Sequence, residues 1–252
     1  MDRKNIPNPG FADDDGTADP SLTRALDRWS RDASAERPDP AVEREVLAAL
    51  TPSRLMVPIV ALLGEVGTDE RGLRHEKTSD MAVPVIEAAD GRRALPAFTS
   101  LETLARWRAD ARPAPVAAPQ AVLAAYAERA DTLLIDPAGP VTYQLTGARM
   151  RAVAENREYL PPPADPEVRE AVRRVLAAEP AVVTGYLGAG GEGDGTLALV
   201  LAPDTAEGEL RGTVDRLVAA LVGDPVLRVR LDRGLELALL RGELSQEPLY
   251  RR

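Results

Sequence analysis

Between Asp90 and Trp107 the chain reads Asp-Gly-Arg-Arg-Ala-Leu-Pro-Ala-Phe-Thr-Ser-Leu-Glu-Thr-Leu-Ala-Arg-Trp, and this order leaves room for a turn, a strand and a helix with almost no slack between them. Asp90-Gly91 suits a tight hairpin turn, because glycine adopts the positive φ that such a turn needs. Leu95 to Phe98 continue as a strand, and Thr99 with Glu102 three residues on reads as a capping box at a helix start. Leu101, Leu104 and Trp107 recur at threes, which predicts one buried stripe. The stretch holds no nucleophile-and-base pair, no metal set and no phosphate cradle. What it dictates is architecture.

The flanking segments extend that architecture. Asp19-Pro20 and Asp39-Pro40 are helix starts, since Asp accepts from the free amides of the first turn and proline's fixed φ suits the first helical position. Leu22, Leu26 and Trp29 would line the first helix, and Val42, Val46, Leu47 and Leu50 the second. Residues 1–20 have no period and read as loop or partly disordered, with Asp13 to Asp15 as a solvated acidic run. They are no EF-hand, because Ala18 and Arg24 stand where that loop needs Gly and Glu. Leu55 to Leu63 suits a buried strand with Pro58 at an edge, bulge or end. Gly64 to Asp80 reads as a charged connecting loop, Val83 to Ala88 as the first arm of a hairpin, and Arg112 to Pro115 as the end of a segment. Pro119 opens a helix with Val122, Leu123, Tyr126 and Ala127 on one side. Thr132 to Asp136 and Val141 to Leu145 are strands, and Thr146 caps a helix with Met150 and Val153 inward.

Tyr159-Leu160-Pro161-Pro162-Pro163-Ala164 reads as a domain linker, because three prolines favour an extended spacer. Asp165-Pro166 starts another helix, faced by Val168, Val172, Val175 and Leu176. Ala181 to Leu187 and Thr196 to Leu201 are strands. A long helix carries Leu210, Val214, Leu217, Val218 and Leu221, and Val226 to Leu231 and Leu235 to Leu240 read as closing strands. The expected fold class is α+β, with two small domains, each a mainly antiparallel sheet with helices packed on it. The expected boundaries are an N-terminal segment 1–38, partly disordered with one helix, a first domain 39–157, a Pro-rich linker 158–164 and a second domain 165–252.

The candidate chemistry is thin. With no Cys, thiol catalysis and thiolate ligands are excluded, and His75, the only histidine, cannot by itself build an imidazole metal site. His75 sits between Arg74 and Glu76 and reads as an exposed surface residue. Ser100 with His75 and a carboxylate could form a triad on paper, yet no G-x-S-x-G elbow is present. Gly188-Ala189-Gly190-Gly191-Glu192-Gly193 matches the dinucleotide fingerprint in letters only: a strand, not a helix, follows it, and Glu192 and Asp194 would repel pyrophosphate. We expect no cofactor and no metal. The net charge of −9 argues against nucleic acid as a partner. The longest apolar run is about half a membrane span, and no signal-like opening is seen, so the expectation is a cytoplasmic protein.

Leu55-Met56-Val57-Pro58, Asp90-Gly91, Leu95 to Ser100 with Trp107, and Leu134-Ile135-Asp136-Pro137 together resemble the N-terminal domain of the bacterial SseB family, named for enhanced serine sensitivity. Pro96-Ala97-Phe98-Thr99-Ser100 is the most specific piece. Ala181 to Leu187 and the closing Glu247-Pro248-Leu249-Tyr250-Arg251-Arg252 look like that family's C-terminal domain, and Asn5 to Phe11 is similar to the opening of actinobacterial members. Asp136 stands where the pattern commonly has Asn; either side chain can bond backbone in a turn. The resemblance implies a fold and brings no reaction or catalytic residues. The expectation is therefore a non-enzymatic protein that binds an unidentified protein partner, in amino-acid metabolism or stress. The rival expectation is an amino-acid sensor or an enzyme with its site in a groove between the domains. The candidate interaction surface is the exposed side of the strand-to-helix junction, at Pro96, Phe98, Thr99, Ser100 and Trp107.

Overall fold

The computed structural model describes residue 11 and residues 14–35, 39–62, 66–68, 74–76, 80–191, 193–203 and 207–252, with side chains in 61–81 and at 207 left aside. The chain divides into two compact units, Met1–Tyr159 and Leu160–Arg252. The architecture is α+β, as its patterning predicts.

In the first unit, Asp19 and Asp39 cap α1 (Pro20–Asp32) and α2 (Pro40–Leu50), with Asp19 accepting from Ser21 N at 2.7 Å and Asp39 from Ala41 N at 2.8 Å. Leu22 and Leu26 of α1 belong to the same core as Val46, Leu47 and Leu50 of α2, so the first helix is integral to this unit. Trp29 meets Tyr143 edge-on, with ring centroids 5.0 Å apart. Next come β1 (Arg54–Leu62), β2 (Val66–Thr68), β3 (Arg74–Glu76), β4 (Asp80–Ala82), β5 (Ile86–Glu87) and β6 (Arg93–Ala97). They are followed by α3 (Leu101–Trp107), β7 (Arg112–Ala117), α4 (Ala118–Ala127), β8 (Thr132–Ile135), β9 (Tyr143–Thr146) and α5 (Gly147–Ala154).

One sheet has the order β4-β1-β7 and another β5-β6-β8-β9, with β2 and β3 paired separately. Strands β6 and β8 run parallel, because the chain between them passes through α3, β7 and α4; their other neighbours are antiparallel. Phe98 just after β6 exchanges two backbone hydrogen bonds with Met56 of β1, at 2.7 and 2.9 Å.

Several expectations are corrected here. The stretch 64–80 is not all loop, since it contains β2 and β3; the expectation for the His75 side chain falls outside the described residues. The hairpin arm at Val83 to Ala88 shrinks to Ile86 and Glu87. Arg112 to Pro115 does not end a segment but opens β7, an edge strand whose prolines need no ladder partner on the solvent side, with Pro113 opposite Pro58. In α4 the buried face is Ala118, Ala121, Val122 and Ala125, while Leu123 and Tyr126 are 55% and 40% exposed. Alanines let that helix sit close on the strands, which turns its larger residues outward.

In the second unit the prolines form a 3-10 turn, Pro162–Ala164, instead of a wholly extended spacer, with Ala164 N donating to Pro161 O at 2.8 Å. Then follow α6 (Pro166–Ala178), β10 (Val182–Gly188), β11 (Gly195–Leu201), α7 (Glu207–Gly223), α8 (Pro225–Arg230), β12 (Leu235–Leu240) and β13 (Tyr250–Arg251). The sheet order is β12-β11-β10-β13, with only β11 and β12 parallel. Gly185 faces α6 so closely that a Cβ there would lie 2.4 Å from Leu176 Cδ1. Val226 to Leu231, expected as a strand, is largely the helix α8. Asp224 caps it, accepting from Val226 N at 2.8 Å and Leu227 N at 3.1 Å, and this local start signal overrides the β-branched composition.

Asp39 has an exposed side chain whose described hydrogen bond is its cap, so Asp39→Ala is expected to lower unfolding free energy by about 1 kcal/mol in urea denaturation. Asp39→Asn should recover most of that loss, and an Asp39→Ala protein as stable as the parent would refute the assignment.

Candidate functional site

The strand-to-helix junction is built from buried groups. Pro96, Phe98, Thr99 and Ser100 are all buried and Trp107 is half-buried, its ring 5.4 Å from that of Phe98. The exposed face expected at Pro96 and Thr99 is therefore not there. Thr99 gives both its donors to Asp136: its N–H at 2.9 Å and its hydroxyl at 2.6 Å. With Thr99 committed to Asp136, the capping box moves one residue on. Ser100 Oγ accepts from Thr103 N at 3.1 Å, Thr103 Oγ1 accepts from Ser100 N at 3.3 Å, and Glu102 turns outward to Arg106 at 2.6 Å. The helix stripe shifts too: Leu104 is buried, but Leu101 is 42% exposed.

Asp136 itself takes φ of +49°, a conformation that Asp tolerates better than most residues. Its acceptance is long-range, from Thr99 on the neighbouring strand's extension, and not a bond within its own turn. Its carbonyl closes the local turn by accepting from Gly139 N at 2.9 Å and Thr142 Oγ1 at 3.0 Å.

Arg54, the first residue of β1, ties the N-terminal segment to the junction. Its guanidinium donates to both oxygens of Asp14, to the Thr17 carbonyl at 2.6 Å and to the Thr99 carbonyl. The Arg54 hydrogen bond holds the Asp14 carboxyl below its ordinary range, outweighing the opposite effect of burial. Gly16 passes over Leu101 with φ of +78°, accepts from Leu101 N at 2.9 Å, and leaves no room for a Cβ, which would lie 2.3 Å from Leu101 Cδ1. Asp14, read from sequence as part of a solvated acidic run, is thus an internal partner.

Beside the junction lies a cavity of about 180 Å³ lined by Thr23, Asp27, Thr99, Ser100, Thr103, Glu102, Arg106 and Asp136 among others. Its hydroxyls are engaged as acceptors or donors within the protein, and Ser100 Oγ meets Thr103 and no base. Among the described residues no group of three or more His, Asp or Glu is placed to hold a metal ion. Asp27 and Arg106, the latter paired with Glu102, stand at this cavity, and among the described residues no nucleophile-and-base pair is placed in it.

The glycine loop between β10 and β11 also has its donors filled. Gly191 N and Gly193 N donate to the Glu236 carboxylate at 3.3 and 2.7 Å, and Thr196 Oγ1 adds a third bond at 3.1 Å. Asp194 accepts from the successive amides of Asp232, Arg233 and Gly234 at 2.5–2.9 Å. Carboxylates of the protein occupy the places a phosphate would take, and the strand β11 lies behind them.

A second candidate site was not legible from residue patterns. In the second unit a groove of about 290 Å³ opens between Val218, Leu221 and Val222 of α7, Leu227 of α8 with Leu231 after it, and Leu235 and Leu237 of β12. Arg228 is the one charged side chain on its lining and makes no ion pair among the described residues. Val222 is 66% exposed and Val218, expected on a buried face, is 42% exposed. Reading α8 as a strand hid this groove. The available signal was Asp224-Pro225, the same start pair as at Asp19, Asp39 and Asp165.

Among family models, that for the SseB protein N-terminal domain matches residues 22–152, just over half of the chain, from within α1 to within α5. No curated protein and no solved structure gives a significant match.

Asp136→Ala would leave the Thr99 amide and hydroxyl without their acceptor and is expected to lower stability by about 2–3 kcal/mol. Asp136→Asn, which can accept from the amide and donate to the hydroxyl, should lose about 1 kcal/mol or less. Urea unfolding of the two variants measures the difference, and equal losses would contradict the pairing described.

Proposed function

The chain belongs to the SseB family, and from that premise we propose that it acts without catalysing a reaction, by binding other proteins through the apolar groove of its second unit. The observation that carries this reading is the groove itself, seven aliphatic side chains around about 290 Å³ of open space on a chain of net charge −9. An open concavity lined by aliphatic side chains can receive an apolar anchor of another protein. We also assign the second unit to the family's C-terminal domain. In support, the two stretches that resemble that domain are neighbours in one sheet, with Thr184 opposite Arg251 and Gly185 opposite Tyr250. We place its action in the cytoplasm; a role in amino-acid metabolism or stress, and the actinobacterial type, rest on the resemblance, and of residues 5–11, which carry that type, only Phe11 is among the described residues. No described helix is long and apolar enough to cross a membrane.

Crosslinking the full chain in a native extract tests the groove when run beside Val222→Asp, a change at a position exposed enough to leave the fold intact. Specific partners should be recovered with the parent and fall about tenfold with the variant. Recovery of the same partners at equal yield would refute the assignment.

A second reading is favoured by the junction cavity, where hydroxyls, Asp27 and Arg106 surround a space suited to a small zwitterion such as an amino acid. Under it, serine, another amino acid or a nucleotide at about 100 times its Kd stabilises the protein by about 2.7 kcal/mol in a thermal-shift titration. Arg106→Ala should abolish that response, and a flat response in the parent excludes the ligand tested.

A further inference from the structure

The strand that borders the apolar groove is also an open edge. β12 pairs with β11 on one side, and among the described residues no strand pairs with its other side. Edges expose unpaired backbone donors and acceptors, and proteins usually blunt them with brevity, proline or charge. The other edges follow that practice: β5 and β13 have two residues each, β2, β3 and β4 three each, β7 carries Pro113 and Pro115, and β9 runs after four residues straight into α5. β12 does not. It is Leu-Glu-Leu-Ala-Leu-Leu, six residues with one charge and no proline, and Leu239 is 47% exposed.

Alternation along a strand sets the chemistry of what fits beside it. Leu235 and Leu237 face the groove, and an added strand about 4.8 Å away would send every second side chain toward the same space. The one charged side chain on the groove's lining is positive. Arg228 lines the groove, Arg241 follows the strand, and neither makes an ion pair among the described residues. The strand's own carboxylate, Glu236, is already engaged by Gly191, Gly193 and Thr196, so a second copy of this edge would bring no carboxylate of its own to answer them.

We propose that the outer edge of β12 receives an extended segment of a partner protein, with apolar side chains at alternate positions in the groove and a carboxylate beside Arg228. This rests on the reading of the groove as a protein-binding surface and names the form of its partner. Backbone hydrogen bonds to the edge would supply affinity, and the groove and Arg228 would supply selectivity.

The probe is a dye-labelled heptapeptide, Glu-Val-Thr-Val-Thr-Val-Glu, titrated with the full chain by fluorescence anisotropy. Controls carry Lys in place of both Glu, or N-methyl groups on either the Val or the Thr amides. The acidic peptide should bind below about 1 mM, and the Lys-ended one about tenfold more weakly. Only one of the two N-methyl sets should weaken binding, because a strand bonds its neighbour through one edge. Arg228→Glu should reverse the charge preference, and Leu239→Lys should weaken binding about tenfold while melting as the parent does. The proposal is overturned by no binding of the acidic peptide, by equal binding of acidic and basic peptides, or by indifference to both N-methyl sets. It is also overturned by a concentration-dependent dimer in sedimentation that Leu239→Lys abolishes, which would make a second copy the occupant. Partners captured by the parent and lost with Val222→Asp but unchanged by Leu239→Lys would leave the groove's role standing and remove the strand-addition proposal alone.

Discussion

A single guanidinium joins three parts of the first unit that are far apart in sequence. Arg54 opens β1, and its donors reach the Asp14 carboxylate, the Thr17 carbonyl and the Thr99 carbonyl at once. Arginine suits this position because its planar fork presents several fixed donors, where an ammonium would present a point charge. Asp14 and Arg54 are both nearly buried, at 12% and 11% side-chain exposure, so each needs the other to offset its lost hydration. The close pass of Gly16 over Leu101, and the junction that Asp136 holds from the other side, share the same few residues.

The same economy recurs in both units, where several carboxylates hold backbone donors. Asp19, Asp39, Asp165 and Asp224 each occupy the amides at a helix start. Asp136 takes the donors of Thr99, Asp194 those of residues 232–234, and Glu236 those of the glycine loop. Backbone donor clusters are the usual means by which proteins bind phosphate. Here internal carboxylates fill them, which gives a physical reason why a sequence with a nominal dinucleotide fingerprint has no phosphate cradle at that place.

Much of the fold was legible in the residues, because its signals are local. The Asp-Pro starts, the Asp90-Gly91 turn and the apolar runs of β1, β8, β10 and β11 act within a few positions and translate directly into elements. What was not legible depends on partners distant in sequence. Thr99 looked like a cap, and only Asp136, 37 positions away, takes it out of that role. Asp14 looked solvated until Arg54 was placed beside it. The prolines of β7 looked like a terminator, since nothing local says that β1 will lie alongside. At the candidate sites the same division holds: helical spacing points to a buried Trp107, whereas the burial of Pro96 and Thr99 depends on distant partners, and the β-branched composition of α8 conceals the groove.

The parallel pairing of β11 with β12 has a kinetic side. β10 and β11 are joined by a short loop and can close as a hairpin, whereas β12 must wait for a crossover that carries two helices, α7 and α8. Long-range closure is slower than local closure because more chain entropy is lost before contacts form. Both rim strands, β12 and β13, thus pair over longer stretches of chain than the central hairpin does, and without β12 the outer side of β11 is itself uncovered. In the finished sheet β12 therefore carries outward, by one strand, an open border that β11 would otherwise present.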